Sequence, residues 1–141
     1  MQKQIHVALG IVCYKNGQSV QILVTRRPDD APLGGLWEFP GGKVHKGELP
    51  QNAVKRELAE EVGIQVQPVI ALCEVQHVYE HAHVHLHAWL CQQVGGDVEN
   101  IQVSDSKWVK LEKVNTVTFP PANEDIVRQL MSIDFSHWPD I

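Results

Sequence analysis

The stretch between Pro50 and Gly63 constrains the fold most. Pro50 suits the first turn of a helix, residues 51–62 are mostly good helix formers, and Gly63 suits the C-terminal cap. Strand-like segments lie on both sides of it. Residues 6–14 are dominated by Val7, Ala8, Leu9, Ile11 and Val12, Asn16-Gly17 marks a turn, and residues 20–25 read as the return strand. Residues 26–35 hold two prolines, two aspartates and two glycines and read as a loop. Trp37-Glu38-Phe39 reads as a short strand that stops at Pro40-Gly41-Gly42. Further on, residues 66–78 and 82–91 read as strands, Gly95-Gly96-Asp97 as a turn, and 107–110 as a short strand. After Pro120-Pro121, residues 123–131 read as a second helix with Ile126, Val127 and Leu130 on its apolar side. Strands interrupted by two well-separated helices predict a mixed α/β sandwich, and 141 residues suit a single domain over 1–141.

Composition narrows the function classes. Apolar residues make up 43% and charged residues 21%, ordinary for a soluble globular chain. No apolar run approaches the roughly 18 residues that span a membrane, and residues 1–6 lack the apolar stretch of a secretory leader. Cys13, Cys73 and Cys91 are odd in number, widely spaced and set in apolar segments, as small buried hydrophobes of a reducing compartment are. These features point to a cytoplasmic protein with no membrane partner. A net charge of −5 argues against a broad nucleic-acid face, whereas a triphosphate can still bind if a divalent cation stands between it and the protein.

The helix carries the carboxylates such a cation needs. With Val54 at zero on a wheel of about 100° per residue, Leu58 falls near 40° and Val62 near 80°, forming the core-facing stripe. Glu61, Glu57 and Glu60 fall near 340°, 300° and 240°, an arc of roughly 100° beside that stripe. Glu57 is an i,i+4 neighbour of Glu61 and an i,i+3 neighbour of Glu60, so the arc repels itself unless protons or cations neutralise it. Hard oxygen ligands suit Mg²⁺ or Mn²⁺. The plain alternative is a solvated acidic helix face.

Taken with the loop before it, the stretch is Gly42, five residues, Glu48, seven residues, then Arg56-Glu57-Leu58-Ala59-Glu60-Glu61-Val62-Gly63-Ile64. This resembles the Nudix box at every fixed position. The resemblance implies a divalent-cation-binding loop–helix–loop that hydrolyses a nucleoside diphosphate linked to some group X. It also implies an α/β/α sandwich with a mixed β-sheet and two main helices. Thr25-Arg26-Arg27, Glu38-Phe39-Pro40-Gly41-Gly42-Lys43 and Phe119-Pro120-Pro121-Ala122-Asn123-Glu124 resemble segments of the MutT-type 8-oxo-dGTP diphosphatases.

That likeness implies a set of roles. The Gly41 carbonyl, Glu57, Glu60 and Glu61 hold the metals, with the three glutamates the catalytic residues and Glu57 orienting or deprotonating the attacking water. Arg27, Glu38, Phe39, Pro40, Gly41 and Asn123 meet the nucleotide, Asn123 reading the purine edge, and Glu48 and Arg56 brace the loop against the helix. The implied reaction converts a nucleoside triphosphate, 8-oxo-dGTP by this analogy, to the monophosphate and pyrophosphate. Alternatives are a CTP or other nucleotide pyrophosphohydrolase and a non-hydrolysing nucleotide-binding module. No direct nucleic-acid contact is implied, and a monomer is favoured over an oligomer.

Two positions depart from the family pattern. Where those enzymes carry a further glutamate after the central strands, colinear alignment puts Gln102, with Glu99 the substitute if the loop shifts. Pro32 replaces a histidine of the substrate loop. His81, His83, His85 and His87 alternate with apolar residues and so share one face of a strand. That face is a half-exposed sheet surface, a wall of the nucleotide cleft or, less simply, a zinc or nickel site. Asn123 has a purely local reading too, as the N-cap of the second helix.

Overall fold

The computed structural model describes residues 3–140. Seven strands and two helices follow one another as β1 (Lys3–Asn16), β2 (Ser19–Arg26), β3 (Trp37–Glu38), β4 (Gly41–Lys43), α1 (Pro50–Val62), β5 (Ile64–Val78), β6 (Ala82–Gly96), β7 (Asp105–Lys110) and α2 (Glu124–Met131). Short 3-10 turns cover Leu111–Thr116 and Pro121–Asn123. The sheet is mixed and runs β3-β2-β1-β6-β5, with β4 added to β1 and β7 to β2. β1 and β6 are parallel from Lys3↔Ala82 to Val12↔Cys91, and the other pairs are antiparallel.

Alternation along β1 builds both layers. Ala8 and Val12 point into a core with Val54, Leu58 and Val62 of α1. Leu9, Ile11 and Cys13 point the other way, against Ile126, Val127 and Leu130 of α2. The two helices therefore cover opposite faces, as expected for the α/β/α sandwich. The inward stripe of α1 follows the wheel: Val54, Leu58 and Val62 are fully buried, each contributing roughly 1.5–3 kcal/mol of apolar transfer. Gly10, between Ala8 and Val12, lets α1 approach the sheet, for a Cβ there would sit 2.9 Å from both Val54 Cγ1 and Leu58 Cδ2.

Where the sequence reading ended a strand at Pro40-Gly41-Gly42, a further strand begins at Gly41. β4 pairs Gly41 with Leu9 and Gly42 with Ala8, and Gly10 N donates to Pro40 O at 2.8 Å. Glycine has poor strand propensity, and here it stands because β4 is wedged between β1 and α1. A Cβ on Gly41 would enter the Ala8 carbonyl, and one on Gly42 would lie 2.5 Å from Glu57 Oε2. β5 and β6 extend past the expected ends, reaching Ile64 and Gly96 with bulges in β5.

Candidate functional site

β4 and α1 bring the carboxylates of the helix to the end of the loop that precedes it. Gly41 N donates to Glu61 Oε2 at 2.9 Å, fixing the helix to the β4 backbone. Arg56 lies across the array. It grips Glu48 with Nε and Nη2 at 3.0 Å each, reaches Glu57 with Nη1 at 2.7 Å and Glu60 at 3.5 Å, and donates to the Lys43 carbonyl at 2.9 Å. Glu48 also accepts the His45 N–H, and these bonds, the Arg56 one foremost, hold its carboxyl at about 2. Glu48 and Arg56 thus form the brace between loop and helix.

Glu61 is in the opposite condition. Burial raises its pKa to about 8 despite the Gly41 bond, and the charges of Glu57, Glu38 and Glu60 push the same way. Glu38, on β3, is the carboxylate the sequence did not assign to this cluster. It forms an ion pair with Arg27 at 3.0 Å, and burial raises its own pKa against the pull of that arginine. Nothing local in the sequence reveals this, because the β2–β3 register Thr25↔Glu38 is a long-range fact.

Among the described residues, the ion pairs of the carboxylates Glu38, Glu48, Glu57, Glu60 and Glu61 are with the guanidiniums of Arg27 and Arg56, and Glu61 has none. The surplus of negative hard-oxygen donors, one kept protonated by its surroundings, fits a divalent cation. Among the described residues no three acidic, histidine or cysteine groups are spaced to close around an ion in this conformation. Arg56 lies against both Glu57 and Glu60 in this conformation.

The expected nucleotide-facing residues divide into two kinds. Arg27 and Glu38 are partly exposed, and Arg27 Nε is buried with no hydrogen-bond partner. Phe39 is fully buried, its ring stacked on Phe119 at 4.9 Å, and Pro40 is buried too. What these two offer a ligand is backbone. Asn123 is 7% exposed at the end of the 3-10 turn, its backbone N–H bonded to Pro120 O. Its side chain does not cap α2, so the local N-cap reading fails, and its amide has no hydrogen bond among the described residues. A cleft of about 290 Å³ lined by Thr118, Phe119, Glu124 and Val127 opens along this segment.

Neither Glu99 nor Gln102 bonds to the carboxylates. Their loop docks on the end of α1, with the Glu99 N–H on the Val62 carbonyl at 2.9 Å and the Ile101 and Gln102 N–H groups on that of Glu61 at 3.1 and 3.0 Å. Of the histidine run, His83, His85 and His87 lie partly exposed on a sheet surface, the plainest of the expectations, while His81 falls outside the strand. His81 lies in the turn before β6, and His83, His85 and His87 face the α1 side with Trp89 and Cys91. Asn123 belongs to the α2 side, so these rings do not wall a cleft shared with it. His83, His85 and His6 stack at 4.5 and 4.4 Å, and no metal-holding group of three forms there among the described residues.

A glutamate-rich helix pinned to a glycine strand of a mixed sheet is an arrangement suited to metal-assisted hydrolysis of a phosphoanhydride. The family described as the NUDIX domain matches residues 8–129, and the chain belongs to it, as a MutT-like Nudix hydrolase. It is 36% identical over 128 residues to the 8-oxo-dGTP diphosphatase of Escherichia coli (strain K12), covering 91% of this chain and 97% of that one. It is 30% identical over 131 residues to the CTP pyrophosphohydrolase of the same organism, covering 93% and 94%. The solution structure of the E. coli ORF135 protein superposes with a TM-score of 0.81 at 29% identity, over 98% of this chain and 95% of that one. Nudix hydrolases generally require a divalent metal.

Proposed function

We propose that the protein hydrolyses 8-oxo-dGTP to 8-oxo-dGMP and pyrophosphate with Mg²⁺, Mn²⁺ serving in its place, and so cleans the nucleotide pool and limits mutation. The observation that carries this reading is Asn123, a nearly buried residue whose side chain does not cap α2. An amide offers a donor and an acceptor to a purine edge. Oxidation at C8 turns N7 from acceptor to donor, so a site arranged for that pattern leaves a polar group unpaired with the normal base. The 8-oxo-dGTP diphosphatase at 36% identity supports the same substrate.

Glu57, Glu60, Glu61 and the Gly41 carbonyl would hold the metal, which would supply Lewis-acid stabilisation of charge on the phosphate oxygens. Glu57 orients the attacking water and accepts its proton once Arg56 has released it. Attack falls on the β-phosphorus, in line with the leaving nucleoside monophosphate. Arg27, with its unpartnered Nε, binds the nucleotide together with Glu38, and the Phe39-Pro40-Gly41 backbone shapes the floor. The work is done by a monomer in the cytoplasm. Two observations favour that compartment: three free cysteines, and no described helix long and apolar enough to cross a membrane.

A second reading, CTP or another nucleotide as substrate, rests on the 30% identical CTP pyrophosphohydrolase. Turnover of 8-oxo-dGTP, dGTP and CTP with Mg²⁺ separates the two. Asn123→Ala is expected to cut the kcat/KM ratio of 8-oxo-dGTP over dGTP at least about tenfold, or about 1.4 kcal/mol. Asn123→Asp caps a helix equally well but lacks the amide donor. Full selectivity in Asn123→Asp, or faster turnover of CTP by the unaltered enzyme, refutes the proposal. In ¹⁸O-labelled water the label is expected in pyrophosphate, and label in the monophosphate contradicts attack at the β-phosphorus.

A further inference from the structure

A cleft of about 560 Å³ lies on the α1 face beside the first turn of the helix, and none of the metal-binding glutamates lines it. Its volume falls within the roughly 300–1,000 Å³ of small-molecule sites. Lys3 and His6 from β1, Lys43, His45 and Lys46 from the loop, and His87 from β6 converge on it. Its one carboxylate, Glu48, is turned away into the double bond to Arg56.

The cationic side chains here are uncommitted. All four arginines of the chain are paired with carboxylates, Arg26 with Asp29, Arg27 with Glu38, Arg56 with Glu48, Glu57 and Glu60, and Arg128 with Asp125. Lys3, Lys43 and Lys46 have no ion-pair or side-chain hydrogen-bond partner among the described residues. In a chain of net charge −5, three lysines without an ion-pair partner among the described residues focus a local positive field around this concavity. The inner wall is ordered. His6 Nδ1 and His87 Nε2 are 2.9 Å apart, His85 stacks on His6 at 4.4 Å, and His85 is bonded to Glu74 at 3.1 Å and Gln4 at 2.7 Å.

The geometry points to a second anion site: this cleft accepts a small phosphoanion, a phosphate or pyrophosphate unit, held by Lys3, Lys43 and Lys46. Three ammonium groups match a multiply charged tetrahedral anion better than a single carboxylate, because each Lys is a compact point charge with rotatable donors. The cleft is separated from the carboxylate cluster by Arg56, which touches Lys43 and Glu48 on one side and Glu57 and Glu60 on the other. The occupant is either a free phosphoanion, such as the released pyrophosphate, or the phosphate tail of the nucleotide itself. The inference stands whichever nucleotide is hydrolysed.

The test titrates the ¹⁵N-labelled full chain with inorganic pyrophosphate in excess chelator. Without metal the carboxylate cluster repels anions and the cleft reports alone. Saturable shifts are expected at the amides of residues 43–47 and the imidazoles of His6 and His87. Lys3→Gln with Lys46→Gln should weaken binding at least about tenfold, and Lys3→Arg with Lys46→Arg should retain most of it. Unchanged affinity in the glutamine variant, shifts centred elsewhere, or no saturation overturns the proposal. With Mg²⁺ present, the same glutamine variant separates the two sources. A KM for triphosphate that rises in step with the loss of pyrophosphate binding assigns the cleft to the substrate tail. An unchanged KM with weaker inhibition by pyrophosphate assigns it to the free anion.

Discussion

Replacing Glu61 with glutamine tests the electrostatics of the site without relying on turnover alone. Without metal, the folded chain keeps a proton on Glu61 up to about 8, whereas the unfolded chain releases it near the ordinary 4.5. Between those values the folded state binds more protons, so stability falls as pH rises. At 1.36 kcal/mol per unit, the whole interval is worth up to about 5 kcal/mol. That is a large share of the roughly 5–15 kcal/mol that holds a domain together. For a chain of this size it corresponds to a loss of roughly 10–20 °C in Tm between about pH 5 and pH 8.5. His87 works in the opposite direction, since burial lowers its pKa and neutralising it favours the fold as pH rises. The comparison is therefore between variant and unaltered protein, both in chelator. Thermal unfolding followed by circular dichroism should show the unaltered chain losing stability with pH relative to Glu61→Gln, and the gap closing near pH 5. Saturating Mg²⁺ should restore the unaltered chain and release a proton, read as buffer-dependent heat in calorimetry, while the variant gains little. Parallel Tm profiles of the two proteins would refute the reasoning. So would near-native kcat in Glu61→Gln with Mg²⁺ saturating, because the charge it removes is worth several kcal/mol in the transition state.

Gly42→Ala pushes a methyl to within 2.5 Å of Glu57 Oε2 while Arg56 restrains that carboxylate, so kcat/KM should fall about a hundredfold with little change in Tm. Gly10→Ala acts through packing alone. Its Cβ meets Val54 and Leu58 at 2.9 Å, and overpacking of about 1–3 kcal/mol should lower Tm by several degrees, while metal affinity at low temperature stays within about twofold. Arg56→Lys keeps one charge but loses the fork that joins Glu48 to Glu57, so kcat should drop more than about tenfold and chain cleavage by protease within residues 43–49 should accelerate.

Periodicity made α1 legible because helical phase is local. Val54, Leu58 and Val62 face inward, and Glu57 and Glu61 fall at the margin of the core because the wheel puts them there. The same kind of reasoning stopped where partners come from elsewhere in the chain. Alternation showed that His83, His85 and His87 share a face, but not which face. That is settled by the parallel register His6↔His85 between β1 and β6, which places them with Ala8 and Val12, and a slip of one residue would have turned them to α2. β4 was hidden because its two glycines look like a turn, and only the Ala8 carbonyl and the Glu57 carboxylate beside them explain why no larger residue serves there.

The resemblance placed Glu38 near the nucleotide, but its coupling to the helix carboxylates was hidden for a deeper reason. Its charge reaches Glu61 across the β2–β3 pair, and it is held there by Arg27 from a loop eleven residues away, so three separate segments must meet before Glu38 acts on that cluster. Asn123 illustrates the converse. Its sequence context suits a helix cap as well as a base reader, and the missing cap bond at a 7% exposed residue, which only the packed chain can reveal, counts against the first without establishing the second. In both cases the chemistry at issue is a polar group whose satisfaction depends on long-range contacts. A buried polar group costs free energy unless something answers it. Arg27 Nε is such a group among the described residues, buried and without a hydrogen-bond partner.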